Sequence, residues 1–307
     1  MVEYIIGIDG GGTGTRAVVA RNDGRVLGGG ESGPSALGQG IPQAWRHIEL
    51  AIRRAFDEAG LPVPDWRNCK LAAGLSGVSH PPWRDEFIAA NPGFAALVAE
   101  TDSFTMLLGA HRGRPGAIVA AGTGSIGEVL RADGSRCTVG GWGFPVGDEG
   151  SGAWLGLHAV RQAQAAMDGR LRPGPLARHV FSHCGRHRTA LQSWCSHAGQ
   201  FEFAQLARAV FEYEASDPFA AQLLDRAAAC IEGIAWALDP PGDLPLALAG
   251  SIGLRLAPRL TPELRERLVE AAEPPTMGAL RLARRIVRGS REDPEQAIDS
   301  KEPETTS

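Results

Sequence analysis

The stretch Asp9-Gly-Gly-Gly-Thr-Gly-Thr-Arg16 lies between two apolar runs, at residues 4–8 and 17–20. Short apolar runs on both sides of a glycine cluster predict two strands joined by a tight hairpin tip. Glycines at such a tip let several backbone N–H groups converge without obstruction by Cβ atoms, which is the arrangement that a phosphate needs. Asp9, at the end of the first predicted strand, is placed to hold a divalent cation against the same phosphates. A plain glycine-rich hairpin with no ligand is the alternative.

The two common nucleotide-binding loops do not describe this stretch. No Lys-Ser or Lys-Thr pair closes it as in a P-loop, and the Gly-x-Gly-x-x-Gly spacing of a dinucleotide fingerprint is absent. A strand also follows the glycines where both motifs require a helix. The stretch therefore predicts a phosphate site built on a hairpin.

The chain contains a second copy of this pattern. Gly12, Thr13 and Gly14 recur as Gly122, Thr123 and Gly124. The turn residues of the first copy recur in the same way, with Arg21, Asp23 and Gly24 matched by Arg131, Asp133 and Gly134. An internal repeat of strand, Gly-Thr-Gly tip, strand, Asp-Gly turn and strand predicts two related α/β lobes. Two phosphate-binding hairpins predict a nucleotide held in the cleft between the lobes.

Hydrophobic periodicity predicts the other elements. Further strands are expected at residues 25–29, 70–73, 96–100 and 245–249, and helices at 42–59, 83–90, 103–110, 201–213, 218–238, 254–260 and 280–287. A helix that starts near Gly152 opens a mostly helical region at 157–234, with a polar break expected at 179–200. That break contains His183, Cys184, His187, Cys195 and His197, which raises a zinc hypothesis, although their spacing fits no standard structural zinc site.

Composition and charge limit the possible classes of protein. A chain of 307 residues forms one large domain or two ordinary ones. Residues 291–307 hold six acidic and two basic residues and so account for the net charge of −4. The nearly neutral remainder offers no electrostatic footprint for nucleic acid or an anionic membrane. We expect residues 289–307 to be a disordered acidic tail.

The N-terminus shows no basic-then-apolar signal sequence, and no apolar run approaches the roughly 18 residues that a membrane span requires. The five cysteines form no Cys-x-x-Cys pair. These features lead us to expect a cytoplasmic protein with no membrane partner.

The duplicated hairpins resemble those of the actin, Hsp70 and sugar-kinase superfamily, in which phosphate loops from both lobes hold ATP and Mg²⁺. The segment Gly140-Gly-Trp-Gly-Phe-Pro-Val-Gly-Asp-Glu-Gly-Ser-Gly-Ala-Trp154 is similar more specifically to the N-acetylglucosamine kinases and bacterial glucosamine kinases, which are grouped with the BadF/BadG/BcrA/BcrD-type ATPases. ROK-type hexokinases are disfavoured because their Glu-x-Gly-His zinc-associated motif is missing. The resemblance covers about residues 4–285.

This resemblance implies an α/β fold of two ribonuclease H-like, actin-like ATPase domains, with the active site in the interdomain cleft. The expected boundaries are residues 1–113 for the N-terminal lobe and 114–288 for the C-terminal lobe. In this family the residues that contact the ATP phosphates correspond to Gly11, Gly12, Thr13, Gly122, Thr123, Gly124 and Ser125. The adenosine pocket corresponds to Gly250 and Gly253, and Asp9 is expected to bind Mg²⁺ through water.

The resemblance also assigns the acceptor side of the site. Asp102 lies at the end of a predicted strand, just before a helix, and resembles the catalytic base of the family; a helix N-cap is the alternative role. Asp148 resembles the ligand of the sugar hydroxyls. The other expected sugar contacts are Thr123, Gly141, Trp142, Gly143 and Glu149.

Several of these positions have a structural alternative. Trp142 either stacks on the sugar or packs in the core, and Asp148 and Glu149 either contact the sugar or cap the helix near Gly152. Trp154 is expected to be packing. One departure concerns the acceptor: the family offers an Asn to the sugar near Pro34-Ser35, where this chain has Ala36 and Leu37.

The expected function is therefore ATP-dependent phosphorylation of the 6-hydroxyl of glucosamine or N-acetylglucosamine, in the utilisation of chitin or cell-wall sugars. The partners are ATP and a small amino sugar, with no nucleic acid, and a homodimer is left open. One alternative is a kinase of another amino sugar, such as N-acetylmuramic acid. Another is an ATPase that activates a 2-hydroxyacyl-CoA dehydratase or benzoyl-CoA reductase, which would need cysteines that bridge an iron–sulfur cluster. A non-catalytic sensor is the third, and the presence of all three aspartates argues against it.

Overall fold

The computed structural model describes residues 2–286, so the acidic tail expected at residues 289–307 lies outside the described residues. Contacts between residues divide the chain into two compact units. Of the described residues, the first unit contains 2–109, 132–135 and 274–286, and the second contains 110–131 and 136–273.

The first unit is built on a five-stranded sheet with the strand order β3-β2-β1-β4-β5. Its strands are β1 (Tyr4–Gly10), β2 (Thr15–Arg21), β3 (Val26–Ser32), β4 (Cys69–Leu75) and β5 (Ala96–Glu100). The first three strands are antiparallel, whereas β4 runs parallel to β1 and β5 runs parallel to β4. Three helices connect them: α1 (Ile41–Glu58), α2 (Pro81–Ala89) and α3 (Asp102–Ala110).

Helix α1 covers one face of this sheet. Its apolar residues recur at helical spacing, as in Ile48, Ile52 and Phe56, and all three are fully buried. They join the side chains of Ile6 and Ile8 from β1 in one core cluster. The predicted helix at residues 42–59 and the predicted strands of this region are confirmed.

The second unit repeats the architecture of the first. Its strands are β6 (Gly116–Ala121), β7 (Ser125–Leu130), β8 (Arg136–Gly140), β9 (Leu246–Ala249) and β10 (Leu268–Val269). Read from β8, the order β8-β7-β6-β9-β10 matches that of the first sheet, with three antiparallel strands followed by two parallel ones. The prediction of two related α/β lobes from the sequence repeat is confirmed.

Eight helices of the second unit surround its sheet. They are α4 (Gly152–Met167), α5 (Pro175–Cys184), α6 (Arg188–His197), α7 (Gln200–Gln205), α8 (Ala207–Glu212), α9 (Pro218–Leu238), α10 (Gly250–Leu256) and α11 (Pro262–Glu266). Their buried faces form one large apolar cluster with β6, β7 and β9. Among residues 2–286, no helix is both long enough and apolar enough to cross a membrane.

The last described helix, α12 (Pro275–Arg285), packs on the first unit. Leu280 and Ala283 of this helix form a cluster with Ile5 of β1, so the second face of the first sheet is also buried. The approach is close, because a Cβ atom at Gly7 would overlap the carbonyl oxygen of Thr276. The sequence predicts that residues up to 288 belong to the second lobe. Helix α12 instead belongs to the first unit, because its apolar side chains pack against those of β1.

Two local predictions were wrong. The polar break expected at residues 179–200 is mostly helical, because α5 ends only at Cys184 and α6 covers Arg188–His197. The helix expected from Leu254 begins at Gly250, so the Gly250-Ser-Ile-Gly253 segment forms its first turn and not a loop.

Candidate functional site

The glycine-rich stretch is the tip of the β1–β2 hairpin. Gly10 pairs with Thr15, and the N–H of Gly11 donates to the carbonyl oxygen of Gly14 at 3.0 Å, which closes the tip. The carbonyl oxygen of Gly11 in turn accepts from the N–H of Ser35 at 3.0 Å. Gly12 and Thr13 are exposed, and within residues 2–286 no protein group accepts from their N–H groups. These two N–H groups are therefore available to a phosphate, whereas that of Gly11 is already used by the hairpin.

Asp9 lies directly across the hairpin from Arg16. Its Oδ2 atom is 3.6 Å from Arg16 Nη1, and Arg16 Nε lies 3.2 Å from Glu31 Oε1. Burial raises the pKa of the Asp9 carboxyl, while the positive charge of Arg16 opposes that shift. A mostly buried carboxylate with one partner is a hard oxygen ligand that Mg²⁺ accepts, since phosphates and water supply its other ligands.

Asp102 is the first residue of α3, immediately after β5 and Thr101. Its Oδ1 atom accepts from the N–H of Ser103 at 2.9 Å, and Thr101 Oγ1 accepts from the N–H of Phe104 at 3.2 Å. Thr101 thus supplies the usual N-cap interaction, and the carboxylate of Asp102 adds a second contact at the helix start. Burial raises the pKa of Asp102, and the negative charge of Asp9 raises it further. A base with a raised pKa accepts a proton more readily than an ordinary carboxylate.

The second hairpin tip, between β6 and β7, is one residue shorter than the first. Ala121 pairs with Ser125, and the N–H of Gly122 donates to the carbonyl oxygen of Gly124 at 2.9 Å. Within the described part of the chain, the N–H groups of Thr123 and Gly124 have no protein acceptor. Their positions match those of Thr13 and Gly14 in the repeat, so both hairpins present backbone donors of the same kind.

The start of α4 holds this second tip in place. The N–H groups of Gly152 and Ala153 donate to the carbonyl oxygens of Gly122 and Thr123 at 2.8 and 3.1 Å. Ser151 caps α4, since its Oγ accepts from the N–H of Trp154 at 3.2 Å. Because Ser151 takes this role, the capping alternatives for Asp148 and Glu149 are wrong.

Asp148 is buried beneath the second hairpin, with 4% of its surface exposed and a backbone φ of 59°. Its Oδ1 atom lies 3.4 Å from the backbone nitrogen of Ser125, and its Oδ2 atom accepts from Gln200 Nε2 at 2.6 Å. Burial is the main cause that raises its pKa, and the charge of Glu149 adds to it. Hydrogen bonds from the N–H groups of Ser125 and Gly143 oppose the shift. The carboxylate is therefore ordered, with its remaining lone pairs available to hydroxyl groups.

Glu149 touches the same hairpin through its backbone. Its carbonyl oxygen accepts from Ser125 Oγ at 2.7 Å. Ser125 therefore meets the segment 148–149 with both its N–H and its hydroxyl group. The hydroxyl that was expected to contact phosphate is engaged here with the protein.

The glycine-rich loop after β8 presents two apolar side chains to the outside. Trp142 is 85% exposed and Val146 is 89% exposed, and the N–H of Gly147 donates to the carbonyl oxygen of Gly143 at 2.7 Å to close the loop. The core alternative for Trp142 is wrong. Trp154, in contrast, is only 9% exposed and belongs to the main core cluster, as expected.

Gly250 brings α10 against the second hairpin. Its φ is 78°, and a Cβ atom there would lie 3.0 Å from the nitrogen of Gly122 and would overlap the carbonyl oxygen of Ala121. Gly253 is one turn along, where an added Cβ would make only ordinary contact with Ala121. Both proposed adenosine contacts thus lie at the end of β6, beside the second phosphate hairpin.

The short helical turn Leu37–Gln39, before α1, lies where the family offers an Asn to the sugar. Leu37 is buried in the core of the first unit, so no amide occupies the position expected from the family. Gln39 follows in the same short helical turn, and its Nε2 atom donates to the carbonyl oxygen of Gly12 at 3.2 Å. An amide therefore contacts the first hairpin from a neighbouring position, which the sequence comparison missed.

The histidines and cysteines of the zinc hypothesis are spread over α5, α6 and His187, the residue that caps the start of α6. Cys184 is buried in the core cluster, and His183 stacks on His179 with ring centroids 4.0 Å apart. Among residues 2–286, no group of three or more His, Cys, Asp or Glu side chains is arranged to hold a metal ion.

Comparison with known proteins supports the resemblance. The profile of the BadF/BadG/BcrA/BcrD ATPase family matches residues 6–257. The glucosamine kinase of Vibrio cholerae is 34% identical over 284 residues, which cover 92% of this chain and 96% of that protein. The N-acetylmuramic acid/N-acetylglucosamine kinase of Clostridium acetobutylicum is 29% identical over 171 residues, 55% of this chain and 56% of that protein.

A solved structure from Chromobacterium violaceum gives the same picture. This protein, for which N-acetylglucosamine kinase activity has been proposed, is 46% identical and superposes with a TM-score of 0.88. The match covers 92% of this chain and 99% of that one.

Proposed function

This chain belongs to the BadF/BadG/BcrA/BcrD ATPase family, and from its similarity to amino-sugar kinases along nearly its whole length we infer that it is an ATP-dependent sugar kinase that phosphorylates the 6-hydroxyl of glucosamine or N-acetylglucosamine. The full-length similarity to the Vibrio cholerae glucosamine kinase supports an amino sugar as the acceptor. The use of ATP and the acceptor chemistry suit a cytoplasmic enzyme of amino-sugar utilisation.

The observation that carries the proposal is the environment of Asp102. It is a partly buried carboxylate whose pKa is raised by that burial, and it stands at the start of α3 where the charge of Asp9 also acts on it. Phosphoryl transfer to a hydroxyl group needs a carboxylate that orients the attacking oxygen and accepts its proton as the bond forms. Asp102 takes this role in our proposal.

The backbone donors of the two hairpins are assigned to the phosphates of ATP. Gly12 and Thr13 in the first hairpin, and Thr123 and Gly124 in the second, have N–H groups with no protein acceptor among the described residues. Backbone N–H groups at a glycine-rich tip are suited to phosphate oxygens because no side chain blocks the approach. Gly11, Gly122 and Ser125 shape the tips, and Gly250 and Gly253 are the proposed contacts of the adenosine.

Mg²⁺ is the expected companion of ATP, and the carboxylate of Asp9 fits it. When bound, the ion neutralises charge on the phosphates. In our proposal Asp9 holds the ion through water. When no ion is bound, the positive charge of Arg16 partly neutralises the Asp9 carboxylate.

The sugar is assigned to the segment 141–149. Asp148 accepts hydrogen bonds from sugar hydroxyls, and the glycine backbone at Gly141 and Gly143 allows close approach of the ring. Trp142 is exposed and can stack on an apolar sugar face. Thr123 and Glu149 complete the proposed contacts.

A coupled assay of ADP release tests this function. We expect turnover with glucosamine or N-acetylglucosamine in a panel that also holds glucose, N-acetylmannosamine and N-acetylmuramic acid. The variant Asp102→Asn should lose sugar-dependent ADP release, whereas Asp57→Asn, which changes an exposed carboxylate on α1, should not. Wild-type turnover by Asp102→Asn would remove this residue from the mechanism, and ADP release that no sugar stimulates would reject the kinase.

A further inference from the structure

Gln200 is the first residue of α7, and its side chain reaches the carboxylate of Asp148 from 52 residues along the chain. Its Nε2 atom lies 2.6 Å from Asp148 Oδ2, which is shorter than the 3.4 Å between Asp148 Oδ1 and the backbone nitrogen of Ser125. Gln200 belongs to none of the motifs that predict the site, so its contact is a new element of it.

The start of α7 is itself firmly held. Glu202 Oε2 accepts from the N–H of Gly199 at 2.8 Å, and the N–H of Phe203 donates to the carbonyl oxygen of Gly199 at 3.2 Å. Helix α7 also packs tightly on α4, since a Cβ atom at Gly156 would overlap the carbonyl oxygen of Phe203. The amide of Gln200 is therefore delivered to Asp148 from a fixed backbone.

The contact between Gln200 and Asp148 lies directly against the second phosphate hairpin. A Cβ atom at Gly124 would come within 2.9 Å of Asp148 Oδ2 and 3.0 Å of Gln200 Nε2. The side chain of Asp148 is thus confined by the amide on one oxygen, by Ser125 N on the other, and by the hairpin backbone. Rotation of its carboxylate would break both contacts.

We propose that Gln200 is the positioning residue of the sugar site: it fixes the orientation of the Asp148 carboxylate and requires Oδ2 to be an unprotonated acceptor. An NH₂ group can only donate, so this bond forms with a carboxylate oxygen that carries no proton. Ser125, Gly143 and Gln200 occupy three of the roughly four lone-pair sites of this carboxylate, so one site remains for a hydroxyl group of the sugar. The inference rests on the proposed function, because it takes Asp148 as the sugar ligand.

Two acidic residues, Glu149 and Glu202, lie beside this pair. Glu149 follows Asp148 in the chain, and its charge acts on that carboxyl. Glu202 lies on α7 and holds the N–H of Gly199. An added carboxylate at position 200 would therefore meet like charge directly, and its effect should fade when it gains a proton.

The test compares Gln200→Glu and Gln200→Ala with Gln205→Glu, a matched control that adds the same charge to an exposed position of the same helix. At pH 8, we expect Gln200→Glu to raise KM for the sugar about tenfold or more, with KM for ATP within about twofold, because a hydrogen bond to a charged group is lost and repulsion replaces it. Gln200→Ala should raise the same KM less, and Gln205→Glu should leave it unchanged.

The pH dependence of the sugar KM distinguishes a positioning role of Gln200 from a general structural role. As the pH falls, the carboxyl introduced by Gln200→Glu takes up a proton and can donate to Asp148, so its sugar KM should approach that of the wild type. Gln200→Ala should show no such recovery. Sugar KM values equal to wild type in both variants, or equal losses in KM for sugar and ATP, would overturn the inference alone. A wild-type protein that phosphorylates no sugar would overturn the proposed function and this inference with it.

Discussion

Arg16 Nη1 lies 3.6 Å from Asp9 Oδ2, and the two residues face each other across the first phosphate hairpin. The same guanidinium also contacts Glu31, so Arg16 is shared between an acidic residue at the site and one outside it. In the proposed magnesium site, a divalent cation on Asp9 would compete with Arg16 for the same carboxylate. The hairpin therefore has a built-in counter-charge that a bound ion would replace.

Removal of the Asp9 charge should weaken Mg²⁺ binding. We expect Asp9→Asn to raise the Mg²⁺ concentration needed for half-maximal activity by about tenfold or more, because an amide is a much poorer ligand for this hard cation. A magnesium titration of ADP release at saturating ATP and sugar measures this value. Asp57→Asn, which changes an exposed carboxylate on α1, is the control and should keep the wild-type magnesium requirement. A magnesium requirement of Asp9→Asn equal to that of the wild type would argue against Asp9 as the ligand.

Removal of the Asp102 carboxylate should abolish most of the catalytic rate. General base catalysis contributes about 10²–10⁴-fold, so kcat of Asp102→Asn should fall by a factor in that range while ATP binding is retained.

In the wild type, kcat/KM should decline as the pH falls through the raised pKa of Asp102, above the ordinary carboxyl value of 3.8. The charge of Asp9 contributes to that rise, so a bound cation should move the decline to lower pH. A profile that is flat down to pH 4 would contradict the assignment.

The same substitution should stabilise the folded protein at neutral pH. Since the pKa of Asp102 is raised by burial, the folded state binds its proton more tightly than the unfolded state. Stability from this group is present at low pH and is lost as the pH rises through the folded pKa. Asp102→Asn avoids the buried charge and keeps an oxygen for the N–H of Ser103, so its Tm should exceed that of wild type at pH 8. The difference should vanish near pH 4, and a lower Tm at pH 8 would contradict the account.

The close approach of α12 to β1 predicts a sensitive glycine. Gly7→Ala should lower the free energy of unfolding by about 1–3 kcal/mol, because its methyl group would overlap the backbone of Thr276. Urea denaturation measures the change. Gly233→Ala is the matched control, because it adds a methyl group to α9 at a position where nothing beyond the neighbouring residues of the helix lies within 4 Å, and it should be neutral or stabilising by up to about 1 kcal/mol.

The repeat made the two sheets predictable from the sequence. The Gly-Thr-Gly tips and Asp-Gly turns recur with their flanking strands, and the structure places β1 to β3 and β6 to β8 accordingly. The sequence predicts the start of α5 but not its continuation past residue 178, because the polar Ser182 and His183 alternate with the buried Val180 and Cys184. Helix α6 falls within the same polar stretch and has a single buried residue, Leu191.

Three other features of the structure could not be predicted from local sequence patterns. The return of α12 to the first unit depends on a backbone contact between Gly7 and Thr276, which are far apart in the chain. The contact of Gln200 with Asp148 likewise depends on the packing of α7 against α4. The amide of Gln39 at the first hairpin stands two residues beyond Leu37, at the place where the family offers its Asn. Such tertiary contacts leave no periodic pattern in a single sequence.

In the proposed reaction, the γ-phosphate of ATP passes to a hydroxyl group of an amino sugar. Phosphorus NMR of a reaction with ATP, Mg²⁺ and glucosamine or N-acetylglucosamine tests it most directly. We predict a phosphomonoester whose phosphorus couples to the two protons on C6 of the sugar, and no such product from Asp102→Asn. Accumulation of inorganic phosphate and ADP with unmodified sugar would contradict the claim and would instead identify an ATPase.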